Sequence, residues 1–338
     1  MNLQKIARIP LAHLPTPVED MPRLSRHLGG ARLLVKRDDL TGLAGGGNKT
    51  RKLEFLVADA LAQGADILVT AGATQSNHCR QTAAAAARVG LGCALVLGGE
   101  PPAGSLVGNL LLDTLLGAQI HWTGPHRRGE ELTRVADELK AAGRRPYVIP
   151  YGGSNALGAA AYAYAMQELA AQAPGTAEPQ LGLLALAAID RIVIASSSGA
   201  THAGLAVGAR GVGYQGQIIG IAIDKGEAGD EPYPVHLARL ANATAALLGM
   251  HDTFGPNDFV VIQDYLGAGY GVVGDLEREA ILLAARCEGL LLDPVYTGRA
   301  MGGLIDMVRR RLIGRQETVL FWHTGGLPAV FAYADALA

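Results

Sequence analysis

Gly45-Gly46-Gly47-Asn48-Lys49-Thr50 is the stretch on which the reading of this chain turns. Three glycines give a backbone that can pass close to a ligand or take positive φ without a Cβ penalty. Lys49 follows, one of six lysines in the chain, and stands just ahead of a run from Thr50 to Gln63. In that run Leu53, Leu56, Val57, Ala60 and Leu61 recur at helical spacing. Upstream, Ala31 to Val35 reads as a strand and leads into Lys36-Arg37-Asp38-Asp39. The order is strand, glycine turn, lysine, helix. A P-loop is excluded, because its lysine directly follows the second glycine and here Asn48 intervenes. A glycine loop whose lysine merely caps a surface fits the stretch equally well when it is taken alone.

Beyond it, strand and helix signals alternate. Apolar runs at 66–70, 93–97, 120–123, 146–150, 191–195, 218–223, 259–262 and 318–322 read as strands. Helical spacing falls at 81–89, 106–116, 130–142, 156–171, 235–248, 276–288, 301–311 and 328–336, with a proline- and glycine-bearing loop at 173–182. This rhythm predicts an α/β fold of parallel sheets covered on both faces. Ligands of such sheets bind at the carboxyl ends of strands, in the strand-to-helix turns. Those turns are where the chain places its polar and glycine residues.

With 338 residues there is room for two domains. The chain is 49% hydrophobic and 18% charged, with a net charge of −2, so charge gives no case for nucleic acid or an anionic membrane. Cys79, Cys93 and Cys287 are odd in number and widely spaced, so they suggest neither a disulfide framework nor a metal site. Cys93 and Cys287 read as buried packing residues. No leader-like segment opens the chain and no apolar run approaches the ~18 residues of a membrane span, so a cytoplasmic protein is expected.

Two further turns carry chemistry. Thr74-Gln75-Ser76-Asn77-His78 puts five polar residues between a strand and a helix, more than one helix cap requires. Ser196-Ser197-Ser198-Gly199-Ala200-Thr201 joins a strand to a helix through small residues, whose backbone N–H groups and helix N-terminus suit an anion. A lysine at one turn and a phosphate cup at another suggest pyridoxal 5′-phosphate, with its aldehyde on the lysine and its phosphate at the helix end.

With these segments in view, the chain resembles the fold-type II pyridoxal-phosphate enzymes. More narrowly, it is similar to the family of D-cysteine desulfhydrase and 1-aminocyclopropane-1-carboxylate deaminase, with L-cysteate sulfo-lyase a near relative. Besides the stretches already quoted, the resemblance rests on Gly152-Gly153-Ser154-Asn155, His202-Ala203-Gly204, Gly269-Tyr270-Gly271, Asp293-Pro294-Val295-Tyr296-Thr297-Gly298 and His323-Thr324-Gly325-Gly326. It implies a tryptophan synthase beta-like architecture of two open twisted parallel-sheet domains, with the cofactor in the cleft between them. Residues 50–155 would form the smaller domain, and 1–49 with 156–338 the larger. Lys49 would carry the cofactor and move the Cα proton, with Asn48 beside it, while Asn77 would bond the cofactor's 3′-oxygen. Ser76, Asn77 and His78 would meet the substrate. Ser198, Gly199, Ala200 and Thr201 would hold the phosphate, and Tyr270 and Tyr296 would serve the substrate side. His202 and His323 would position loops, and His121 reads as a buried structural residue. No metal is expected. A small amino acid is the expected partner, and a homodimer the expected assembly.

Within the family, ring-opening deaminases usually carry Glu where this chain has Thr297 and Leu where it has Thr324. The desulfhydrase pattern has hydroxyl residues there. A hydroxyl facing the pyridine nitrogen, from Thr297 or Thr324, suits elimination, in which the leaving group takes the electrons. The expected reaction is α,β-elimination from D-cysteine to pyruvate, ammonia and hydrogen sulfide. L-cysteate elimination, cyclopropane ring opening and a non-enzymatic cofactor- or amino-acid-binding role are the alternatives.

Overall fold

Leu33, Leu34 and Val35 are all buried, which a strand achieves only inside a sheet covered on both faces. The computed structural model describes residues 6–172, 186–226 and 229–337. In it these side chains lie on β2 (Arg32–Arg37), flanked by antiparallel β1 (Val18–Asp20) and parallel β10 (Thr318–His323). The sheet continues in parallel through β7 (Arg191–Ser196), β8 (Gln217–Ala222) and β9 (Val260–Ile262). A second, all-parallel sheet of the described residues runs in the order β5 (Gln119–Trp122), β4 (Gly92–Gly98), β3 (Ile67–Ala73), β6 (Pro146–Val148).

The connecting helices cover these sheets. In chain order they are α1 (Pro22–Leu28), α2 (Asn48–Ala62), α3 (Asn77–Val89), α4 (Gly108–Leu115), α5 (Leu132–Ala141), α6 (Ala156–Ala171) and α7 (Ala200–Val212). Then come α8 (Tyr233–Leu247), α9 (Asp275–Glu288), α10 (Thr297–Arg309) and the short α11 (Leu327–Val330) and α12 (Ala334–Leu337). The carboxyl ends of β2, β3, β6, β7 and β10 each feed a turn into a common cleft.

Beneath that cleft lies a buried polar knot. Asp38, at the end of β2, accepts from Arg51 (2.8 and 3.0 Å), Thr16 (2.8 Å), Tyr162 (2.7 Å) and Trp322 (2.8 Å). Burial alone would raise its carboxyl, but the Arg51 charge and hydrogen bond, with Lys36 and Trp322, hold it at about 2. Glu168 on α6 in turn accepts from Arg51 and from Lys36, at 2.8 and 2.6 Å. The Lys36-Arg37-Asp38-Asp39 segment is therefore a support that fixes α2, with Lys49 on it, against α6 and β10.

Sequence reading and structure differ at several ends. Helix α2 begins at Asn48, so Lys49 lies within its first turn rather than ahead of it. Helix α10 begins at Thr297, four residues earlier than spacing suggests, because Asp293 accepts from the backbone N–H groups of Val295, Tyr296 and Thr297. The single helix expected at 328–336 is broken by a 3₁₀ turn, Phe331–Tyr333. Strand β1 and helix α1 were not legible, being short. His121 and Cys287 are only partly buried, whereas Cys79 and Cys93 are fully so. The loop expected at 173–182 lies outside the described residues.

Candidate active site

The glycine turn is built for close approach. Gly46 has φ of 69°, and a Cβ there would lie 1.9 Å from the Asp39 carbonyl oxygen. The Gly47 N–H donates to the Asp38 carbonyl (3.1 Å) and Thr41 Oγ1 (2.7 Å), and the Asn48 N–H to the Thr324 carbonyl (2.9 Å). The turn is thus pinned to the end of β10. From it Lys49 Nζ donates to Asn48 Oδ1 at 2.9 Å, while Asn48 Nδ2 donates to Thr201 Oγ1 at 3.1 Å. One helical turn on, the buried Lys52 projects from the same face and donates to the Gly152 carbonyl at 3.1 Å.

Both ammonium groups line one cavity, with Ser76, Asn77 and His78 on one wall and Ser197 to Gly199 with Thr201 on another. Tyr151, Tyr296 and Thr324 complete it. Ser76 Oγ caps α3 by accepting from the Cys79 N–H at 3.2 Å, so capping and cavity lining coincide in one residue. Asn77 Oδ1 accepts from Asn109 (2.9 Å) and Arg80 (3.4 Å), which leaves its Nδ2 to donate to a guest. Opposite, Gly199 at φ 100° turns the chain into α7, whose first N–H groups face the cavity end near Ser198. Ser154 Oγ donates to Ser198 Oγ at 2.7 Å and accepts from the Ala200 N–H at 3.4 Å.

The electrostatics call for an anion. No carboxylate lines this cavity, while two lysines do. Burial and then the Lys49 charge push the Lys52 ammonium well below its ordinary range. His78 is depressed by burial, then by Lys49 and Lys52. The single proton of the Thr70 hydroxyl goes to the Ile149 carbonyl, so Thr70 accepts from His78 Nε2 at 2.8 Å. His78 is therefore neutral and presents Nδ1 as a buried acceptor that lacks a hydrogen-bond partner. His202, lowered to about 4 by burial, is neutral too and bonds Ser196 Oγ at 3.0 Å.

Three expected site residues lie outside the lining: Ala200, fully buried with its N–H donating to Ser154 Oγ, Thr297 and Tyr270. Thr297 is fully buried, and its hydroxyl donates to Asp293 Oδ1 at 2.7 Å while accepting from the Asp293 N–H. With both capacities taken by Asp293, whose carboxylate caps α10, it does not line the cavity; Thr324 does. Tyr270 stands one side chain behind the wall, its hydroxyl 2.6 Å from that of Tyr296. Lys52 and Tyr151 were missed. A lysine three residues after Lys49 was the available signal for Lys52, but within an amphipathic helix it reads as an ordinary polar face. Nothing around Tyr151 distinguishes it before folding.

A family model described as "Pyridoxal-phosphate dependent enzyme" matches residues 9–325. The chain belongs to that family. The enzyme is 44% identical over 346 aligned residues to a D-cysteine desulfhydrase of Klebsiella pneumoniae (strain 342), covering 98% of this chain and 99% of that protein. Among solved structures, an ACC deaminase homologue shares 38% identity at a TM-score of 0.87, over 99% of this chain and 96% of that one. A pyridoxal 5′-phosphate-dependent aspartate racemase, 17% identical with a TM-score of 0.63, covers 92% of this chain and 90% of its own, and shares the fold. Both sheets and the cleft are those of fold type II. The lining fits the cofactor: a lysine amine at one end, donors without carboxylates at the other, and an amide donor between. No helix of the described residues is long and apolar enough to cross a membrane.

Proposed function

We propose that the enzyme is a carbon–sulfur lyase acting on D-cysteine, which with water yields pyruvate, ammonia and hydrogen sulfide. The observation that carries this is the cationic cavity itself, Lys49 facing the α7 N-terminus, in a chain so similar along its length to a D-cysteine desulfhydrase. Bound there, pyridoxal phosphate supplies the electron sink for the carbanion at the substrate's Cα.

Lys49 would hold the cofactor, and its amine would take the Cα proton. Lys52, the Ser198–Thr201 backbone and the α7 N-terminus bind the phosphate. Asn77 donates through Nδ2 to the cofactor's 3′-oxygen. Ser76 and His78 bound the substrate carboxylate, and the linked Tyr270–Tyr296 hydroxyls bear on the β-substituent. Thr324, which lines the cavity while the Thr297 hydroxyl is engaged by Asp293, would meet the pyridine nitrogen, and a hydroxyl does not hold that nitrogen protonated as a carboxylate does. Elimination tolerates this, because the departing thiolate carries off the electron pair; ring opening lacks such a leaving group. The division into a smaller domain, 50–155, and a larger one, 1–49 with 156–338, is supported by sheet membership. The working unit is a homodimer in the cytoplasm, and light scattering on the purified enzyme tests the assembly.

A pyruvate-release panel tests the reaction, over D- and L-cysteine, L-cysteate, D-serine and the cyclopropane amino acid. D-Cysteine should lead by at least about tenfold in kcat/KM. Faster turnover of L-cysteate, or ring opening at a comparable rate, would overturn the substrate assignment.

A further inference from the structure

The cleft is bridged by one side chain that also touches its aromatic wall. Arg127 and Arg128 lie between β5 and α5, on the four-stranded sheet's side, whereas Asp224 follows β8 of the other sheet. Both arginines ion-pair with Asp224 across the cleft, Arg128 at 2.8 Å, and Arg128 also donates to the Lys225 carbonyl. Of the two, Arg127 is the one that meets the tyrosines. Its guanidinium carbon sits 4.0 Å from the centre of the Tyr270 ring, and the same group donates to the Tyr151 hydroxyl at 3.2 Å. Its backbone is held against β4, where a Cβ on Gly98 would come within 3.0 Å of Arg127 Cα.

Tyr270 passes this placement inward. Its ring meets the Tyr296 ring edge-on at 77°, and the two hydroxyls are 2.6 Å apart. Tyr296 and Tyr151 both line the cavity. The path runs from Asp224 through Arg127 to Tyr270, Tyr296 and the reacting centre, with Tyr151 as a branch. A planar guanidinium can stack on a ring and donate in its own plane at once, so one group fixes both the ring's position and the neighbouring hydroxyl.

We propose that Arg127 is a positioning residue, which sets the Tyr270–Tyr296 hydroxyl pair over the substrate and does so only while its ion pair spans the cleft. The inference rests on the reading of those tyrosines given above. Arg128 serves as the internal control, because it shares Asp224 while its side chain bonds, among the described residues, only Asp224 and the Lys225 carbonyl.

The test compares Arg127→Met, Arg127→Lys, Arg128→Met, Tyr270→Phe and the Arg127→Met/Tyr270→Phe double variant as cofactor-loaded enzymes, on D-cysteine. Arg127→Met should lower kcat by roughly tenfold or more with KM changed little, the signature of a group that acts in the transition state. Arg128→Met should stay within about twofold, and Arg127→Lys should recover only part of the loss, since an ammonium neither stacks nor forks. The double variant should be no slower than the slower single one, because both changes break one path. Equal losses in the Arg127 and Arg128 variants would reduce the effect to the ion pair and overturn the proposal, as would losses that multiply. If Arg127→Met does not fold, Arg127→Lys decides alone, and wild-type kcat there also overturns it. An unaffected Tyr270→Phe would instead overturn the reading of the tyrosines.

Discussion

Lys49 and Lys52 share a helix face and a cavity, yet only Lys49 directly follows the glycine turn, in the first turn of α2, at the cofactor's expected aldehyde end. Lys49→Ala should abolish elimination and the yellow absorbance of the cofactor–lysine linkage while leaving the circular dichroism spectrum intact. Survival of the borohydride-reduced adduct on Lys52 would reverse the assignment. Asp113 is a residue of another kind: fully buried on α4, with neither carboxylate oxygen hydrogen-bonded. Burial pushes its carboxyl up to about 8, only partly countered by Arg80. The folded state then holds a proton that the unfolded chain releases near pH 4, so this group's contribution to stability declines as pH rises from about 4 to about 8. Asp113→Asn should therefore flatten that decline, with a Tm gain larger at pH 8.5 than at pH 5.5. An equal gain at both would show that the carboxyl is not the cause. Lys49 was legible in sequence because glycines isolate it from ordinary helix chemistry. Thr297 was misplaced for a physical reason: its hydroxyl is taken by Asp293, whose carboxylate caps α10, and a hydroxyl held by a helix cap is hard to tell from a ligand group.

At the scale of single elements, helix α7 matters most. Gly199 turns the chain at φ 100°, and a Cβ there would stand 3.0 Å from His236 Nε2. Gly199→Val should strain the backbone and draw the α7 N–H groups off the phosphate, weakening cofactor retention by about tenfold or more. Cofactor titration into the stripped variant measures this; unchanged affinity would put the phosphate elsewhere. This cup was readable because a run of small residues between a strand and a helix has few other uses. Helix starts were read less well. Helix α2 opens at a glycine with no side chain to cap it, its Asn48 N–H taken by the distant Thr324 carbonyl and its Thr50 N–H by Gln81 Oε1. Such a tertiary cap leaves no mark in local sequence. Strand–helix alternation, by contrast, is a pattern of burial repeated along the whole chain, and the architecture followed from it.

Across the whole molecule, an excess of cationic donors at the mouth of two sheets predicts how the cofactor-free protein responds to simple anions. Inorganic phosphate or sulfate should raise its Tm in a saturable way, since a ligand of the folded state stabilises it by mass action. The gain should vanish in Lys52→Met, and its persistence there would place the anion at another basic surface. The division into two sheets was legible in sequence, but their strand order was not, because nothing local records that the last strand lies in the middle. β10 is hydrogen-bonded on one side to β2 and on the other to β7, and Trp322 on it reaches Asp38 in the polar knot. During synthesis on the ribosome, β2 therefore waits for a neighbour made almost three hundred residues later. The glycine turn and Lys49 cannot settle in place while Thr324 is still inside the exit tunnel. The larger sheet cannot then close until β10 has emerged, and a nascent chain stalled ahead of Thr318 would expose β2 and β7 as open edges for chaperones to cover.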